Sequence, residues 1–170
     1  MRALLRGYDR LVTAMAMTGC VLLAAMFVMI VYDVTVRTAG LTPPAMTSAV
    51  SEYFMLYVTM LAAPYLVRIK AHVAVESITL VMPAAAMPWL SRLVCLVCIA
   101  VSVLLAWYSA DAIADVLASG EVDIRSIIVP KWVLFAPLPV GFALCAVEFA
   151  RYLMAREGLL VGRGAGESSI

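Results

Sequence analysis

Polar and apolar positions in this chain come in blocks and do not alternate. Asp, Glu, Lys and Arg are missing from Leu11–Tyr32, Tyr53–Val67, Leu93–Ala110 and Trp132–Val147, runs of roughly 15 to 22 residues against the about 20 that cross hydrocarbon. Each run is apolar on every side, which argues against barrel strands, whose lipid and lumen faces alternate with period two, and predicts helices. The second and fourth runs reach spanning length if they begin near Thr47 and Ile127, admitting Glu52 and Lys131 within the outer turn, where long side chains snorkel to the interface. The pattern predicts four transmembrane helices, over about 11–36, 47–67, 90–111 and 128–150.

Smaller signals punctuate these spans. Pro130 sits where the fourth helix can begin, followed by Trp132 in the interfacial belt. Within that span Pro137 and Pro139, followed by Gly141, remove two backbone donors and predict a kink or local unwinding; Pro64 does so less severely in the second span. After Arg68, Val75, Ile78 and Met82 recur at helical spacing, with His72, Glu76 and Thr79 on an adjoining stripe. This predicts a short amphipathic helix lying in the interface, ended by Pro83.

Composition agrees about the solvent. The chain is 65% hydrophobic and 14% charged, where a soluble domain is about half apolar and a quarter charged. With 170 residues, little chain remains outside the spans. We expect one all-α integral membrane domain over 1–157 and a frayed tail over 158–170. Arg2, Arg6 and Arg10 before an apolar run, and the Met17-Thr18-Gly19-Cys20 stretch, also suit a cleaved leader; the run is too long for one and continues past Cys20, so we read a retained span. Nine Lys and Arg residues fall on the side of both termini and three, Arg37, Arg125 and Lys131, on the other. The positive-inside rule then places both termini in the cytoplasm, with Arg68 and Lys70 holding the end of the second span at the anionic inner surface.

Chemistry-bearing residues are sparse. Cys95 and Cys98 match a CxxC spacing but lie mid-span, where a thiol stays protonated and no partner completes a metal site, so all four cysteines read as small apolar residues. Asp111 and Asp115, at i, i+4, read as a wet outer rim, and a lone His72 is no ligand set. Glu52, early in the second helix, suits a structural partner such as a cation on another helix or subunit. No nucleophile–base pair, phosphate loop or nucleic-acid signature appears. We expect neither an enzyme nor a cofactor, metal or nucleic-acid binder.

The order of these features resembles the small membrane subunit, DctQ-type or Q, of tripartite ATP-independent periplasmic (TRAP) transporters. The resemblance rests on Arg37 closing the first span, Ser51-Glu52 opening the second, His72-Val73-x-Val75-Glu76 after it, and Val129-Pro130-Lys131-Trp132 followed by Pro137-Leu138-Pro139-Val140-Gly141-Phe142; it covers roughly Leu11 to Tyr152. Glu76 stands where the family has Asp, Ala71 where Gly is frequent, and Asp33 where an uncharged residue is commoner. The resemblance implies a non-catalytic subunit of the bacterial inner membrane. It would pair with a large multi-spanning M subunit, which carries the sodium and substrate sites and moves as an elevator, and help dock a periplasmic binding protein that delivers an organic acid anion. Arg37, Glu52, Arg68, Lys70, His72, Glu76, Pro130, Trp132, Pro137, Pro139 and Gly141 are then the candidate interface or anchoring residues. The competing reading is a stand-alone homo-oligomeric tetraspan channel or exporter.

Overall fold

The computed structural model describes residues 2–42, 46–69, 87–124 and 128–154. The expected interfacial helix, with Lys70, His72 and Glu76, lies outside them.

Helix α1 runs over Arg2–Thr38, α2 over Met46–Arg68 and α3 over Met87–Ser119. A short antiparallel hairpin follows, β1 (Val122–Ile124) and β2 (Ile128–Pro130), then one turn of helix, α4 (Lys131–Phe135), and finally α5 (Pro137–Met154). Four segments are long and apolar enough to cross a membrane: 6–38, 49–68, 88–119 and 131–154. The all-α four-span architecture is therefore present, with the hairpin as its one β feature among the described residues.

Helix ends follow local chemistry. At the end of α1, Gly40 adopts a left-handed φ of 75°; its N–H bonds the Arg37 carbonyl at 3.0 Å and the Leu41 N–H bonds that of Val36 at 3.1 Å. This is a Schellman ending, which an L side chain would strain. Gly120, with φ 65°, ends α3 through a single bond from its N–H to the Val116 carbonyl at 3.0 Å. Expected to stop near 111, α3 thus continues to Ser119. Asp111 and Asp115 do not terminate it, because a charged side chain leaves the backbone ladder intact; the chain turns where Gly120 takes up a left-handed φ. The fourth span also departs from a single helix beginning at 128: residues 128–130 pair as a strand, and the helix breaks at Ala136, immediately before Pro137. Ala136 keeps helical dihedrals and its N–H bonds the Trp132 carbonyl at 2.9 Å, so what stops there is the hydrogen-bond ladder: Pro137 has no N–H to give, and the Val133 carbonyl it leaves free accepts from Tyr57 at 2.6 Å instead.

The spans pack in a row. α1 lies on α2, α2 on α5, and α5 on α3, which leaves α1 and α3 at the two edges. Val67, Cys145 and Phe149 form the centre, with Ala63, Cys98, Ile99 and Tyr152 against them, so α2, α3 and α5 meet there. Cys95 and Ser91 on α3 are almost wholly buried. The CxxC pair therefore belongs to a small-residue packing face of the kind that lets membrane helices approach.

Candidate functional site

Four charged side chains meet at the end of the array that carries both termini. Arg68, on the last turn of α2, donates to Asp9 of α1 twice: Nη2 lies 2.7 Å from Oδ1, and Nη1 is 3.1 Å from the backbone oxygen. Arg151 of α5 approaches the same Oδ1 at 3.0 Å and Glu148, one turn earlier, at 3.2 Å. Its guanidinium also sits 5.3 Å from the centre of the Tyr8 ring, within cation–π reach. Tyr152 donates its hydroxyl to the Arg68 carbonyl, capping a helix end that has no further turn to satisfy it. Two carboxylates and two guanidiniums make this cluster internally neutral. Glu148 is only 2% exposed, and a charge so buried persists only where paired. The cluster ties α1, α2 and α5 together at one level.

A second joint lies mid-span. Pro64 has no N–H, so the carbonyl of Met60 loses its helical partner, a costly state in hydrocarbon. Gly141 of α5 covers that same group: a Cβ built on it would lie 3.0 Å from the Met60 oxygen and 3.1 Å from the Met60 Cβ and Sδ. A larger residue would crowd this approach and push the helices apart by a few tenths of an ångström, whereas glycine lets its Cα hydrogens face the carbonyl, a weak contact recurrent between helices. Two residues that the sequence presents as separate breakers thus form one α2–α5 contact.

The opposite end is organised around the hairpin. Lys131 pairs with Glu121 at 2.6 Å across its base, and Tyr53 of α2 donates to Asp123 Oδ2 at 2.7 Å. Tyr57 donates to the Val133 carbonyl at 2.6 Å, which holds α4 against α2. Asp115, Glu121, Asp123 and Lys131 rim a shallow groove of about 440 Å³ with Ala112, Val116, Leu134 and Phe135 below. Further along this end Arg37 pairs with Asp33 at 2.7 Å one turn earlier on α1, while the other carboxylate oxygen of Asp33 is buried without a partner among the described residues.

The structure therefore separates the candidate residues. Arg68 joins the terminal cluster, Gly141 the α2–α5 joint, and Pro137 and Pro139 the first turn of α5. Pro130 closes the hairpin opposite Val122, and Trp132, 44% exposed, stands beside it. Glu52 is exposed on α2 and Arg37 is exposed at the end of α1. Sequence reasoning missed Tyr8, Asp9, Glu148 and Arg151 as a unit. The available signal was Glu148 with Arg151 at i+3 just inside the apolar fourth span, and a single Asp9 among three N-terminal arginines.

A chain with four apolar spans and charges gathered towards their ends is a multi-pass membrane protein. The family of tripartite ATP-independent periplasmic transporters, DctQ component, matches residues 26–156, and the chain belongs to it. It is a small TRAP transporter subunit, a multi-pass component of the bacterial inner membrane. No curated protein and no solved structure matches the chain.

Proposed function

We propose that this chain is the non-catalytic small permease subunit of a sodium-coupled TRAP transporter. It forms part of the fixed membrane scaffold beside the large M subunit and helps dock a periplasmic substrate-binding protein for uptake of an organic acid anion. The observation that carries this reading is the placement of charge: the runs at 11–32, 53–67, 93–110 and 132–147 hold no Asp, Glu, Lys or Arg, and Asp33, Arg68, Lys131 and Glu148 at their flanks are each in an ion pair. On this reading the sodium and substrate sites fall to the partner, where charge can be placed within the membrane. The long apolar faces of α1 and α3, with Phe27, Val28, Trp107 and Tyr108 exposed, supply surface for lipid and for that partner.

With both termini in the cytoplasm, the Asp9–Arg68–Arg151–Glu148 cluster lies at the inner surface and the hairpin at the outer one. Arg68 and Lys70 anchor the second span, while His72 and Glu76 orient the following segment against its neighbour. Affinity purification of the tagged chain from native membranes in mild detergent, with mass spectrometry, tests the reading. A stoichiometric large multi-spanning protein supports it; self-association alone favours a homo-oligomeric channel. His72→Ala with Glu76→Ala lowers uptake or recovery of the large subunit, and unchanged assembly and uptake would remove that role.

A further inference from the structure

The β1–β2 hairpin has its polarity inverted. In its register Val122 faces Pro130, Asp123 faces Val129 and Ile124 faces Ile128. Directly opposed residues share a face, so Val122, Ile128 and Pro130 project to one side and Asp123 and Val129 to the other. Asp123 is the side that meets the protein, through its bond to Tyr53 of α2, and both Asp123 and Val129 are half-buried. The outward side is apolar: Val122 is 41% exposed, Ile128 73% exposed, and Pro130 is also exposed. A hairpin in water turns its polar residues outward. This one does the reverse.

Its position says what covers that side. The fourth span begins at Lys131, the residue after Pro130, and its 24 residues suit a single crossing of the bilayer, so the hairpin that leads into it sits beside a membrane boundary. Tyr53 lies about 10 Å along α2 from Met46 at 1.5 Å per residue. The hairpin therefore hangs beside the helical array and not above it, and the face turned from α2 points sideways. At its base the Glu121–Lys131 pair and Trp132 are the kind of residues that mark the headgroup level. Open strand edges are excluded from hydrocarbon, which keeps the hairpin at the boundary and out of the acyl interior.

We propose that the hairpin is an interfacial membrane anchor, with Val122, Ile128 and Pro130 seated among the headgroups and upper acyl chains of the bilayer and Trp132 beside them. It holds the α3–α4 connection against lipid independently of whether the scaffold reading is correct. The occupant is phospholipid, not the large subunit and not the binding protein.

Site-directed spin labelling tests this on the assembled transporter in nanodiscs. Ile128→Cys is introduced with Cys20→Ala; Cys95 and Cys145 are buried and Cys98 is packed in the core, so position 128 takes the label, and the Cys20→Ala protein alone supplies the background. Collision rates are measured with oxygen, which partitions into lipid, and with a water-soluble nickel chelate. We expect the oxygen rate to exceed the nickel rate several-fold at 128 and to be several-fold lower at Val129→Cys on the opposite face. Both ratios should be unchanged on adding the binding protein. Greater access to nickel than to oxygen at 128 overturns the proposal, as does shielding from both reagents, which means a polypeptide covers the face. If Ile128→Cys assembles poorly, Val122→Cys on the same face gives the same readout.

Discussion

Replacing Arg151 by Met removes the group that holds Glu148 charged inside the protein. Glu148 is 2% exposed and receives Arg151 Nη1 at 3.2 and 3.4 Å from its two oxygens. Breaking a buried ion pair by deleting one partner costs about 3–5 kcal/mol; because the Arg151 side chain retains 36% exposure, we take the low end, about 3 kcal/mol. That is roughly a hundredfold in the folded fraction. Glu148→Gln alone leaves Arg151 its second partner, Asp9, at 3.0 Å, and should cost only about 1 kcal/mol. Combining Arg151→Met with Glu148→Gln removes the uncompensated charge altogether. The double variant should therefore be more stable than Arg151→Met alone, with a coupling of about 2 kcal/mol between the sites. Reversible unfolding in bicelles, followed by a steric-trap or fluorescence signal, measures all three. If the double variant loses the sum of the two single losses, Glu148 is not held as a buried anion and the argument for the cluster is wrong.

Gly141→Ala puts a methyl group 3.0 Å from a backbone oxygen that cannot move freely, and overpacking of about 1–3 kcal/mol outweighs the gain in helix propensity of at most about 1 kcal/mol; the thermal midpoint in detergent should fall. Gly19→Ala is the contrast, since its methyl would meet α2 at 3.6–3.9 Å, ordinary contact distance, and should be neutral or stabilising in the same assay. Tyr53→Phe removes the bond to Asp123 and should speed amide exchange at 122–124 while leaving exchange in α1 unchanged. Lys131→Met breaks a largely exposed pair and should leave the midpoint where it was.

What the sequence made legible was whatever the solvent dictates. Charge-free runs report where lipid is, so the four spans could be read one residue at a time without knowing how they meet. The proline pair of the fourth span likewise announced a break through a local rule, and the helix does break before Pro137. The terminal cluster was opaque for the opposite reason. Asp9 and Arg151 lie 142 residues apart, and nothing local distinguishes Asp9, bridging two helices, from a solvated charge in a basic tail. The same holds for Pro64 and Gly141: each breaks a local rule, and only the packing of α2 on α5 shows that one covers the carbonyl the other exposes. The helix of the third span runs past the charges used to mark the edge of the lipid and ends only where Gly120 permits a turn.

The row of helices follows from the same physics. In water, four amphipathic helices close into a bundle because each must hide an apolar stripe; in lipid that pressure is absent, and helices meet only where their surfaces fit closely. Here the close-fitting surfaces are local: Gly19 faces α2, Gly141 faces α2 from the other side, and α3, whose chief partner is α5, buries the small residues Ser91, Cys95 and Ser102. α2 and α5 therefore each pack along two helices, while α1 packs along α2 and meets α5 chiefly at the terminal cluster, and α3 packs along α5. At 37 and 33 residues, α1 and α3 extend about 55 and 50 Å, well beyond a hydrocarbon core of about 30 Å. Helices of that length fit a bilayer by tilting or by projecting from it. A row leaves one side of each edge helix without a neighbour among the described residues, and those are the sides on which Phe27, Val28, Trp107 and Tyr108 stand exposed.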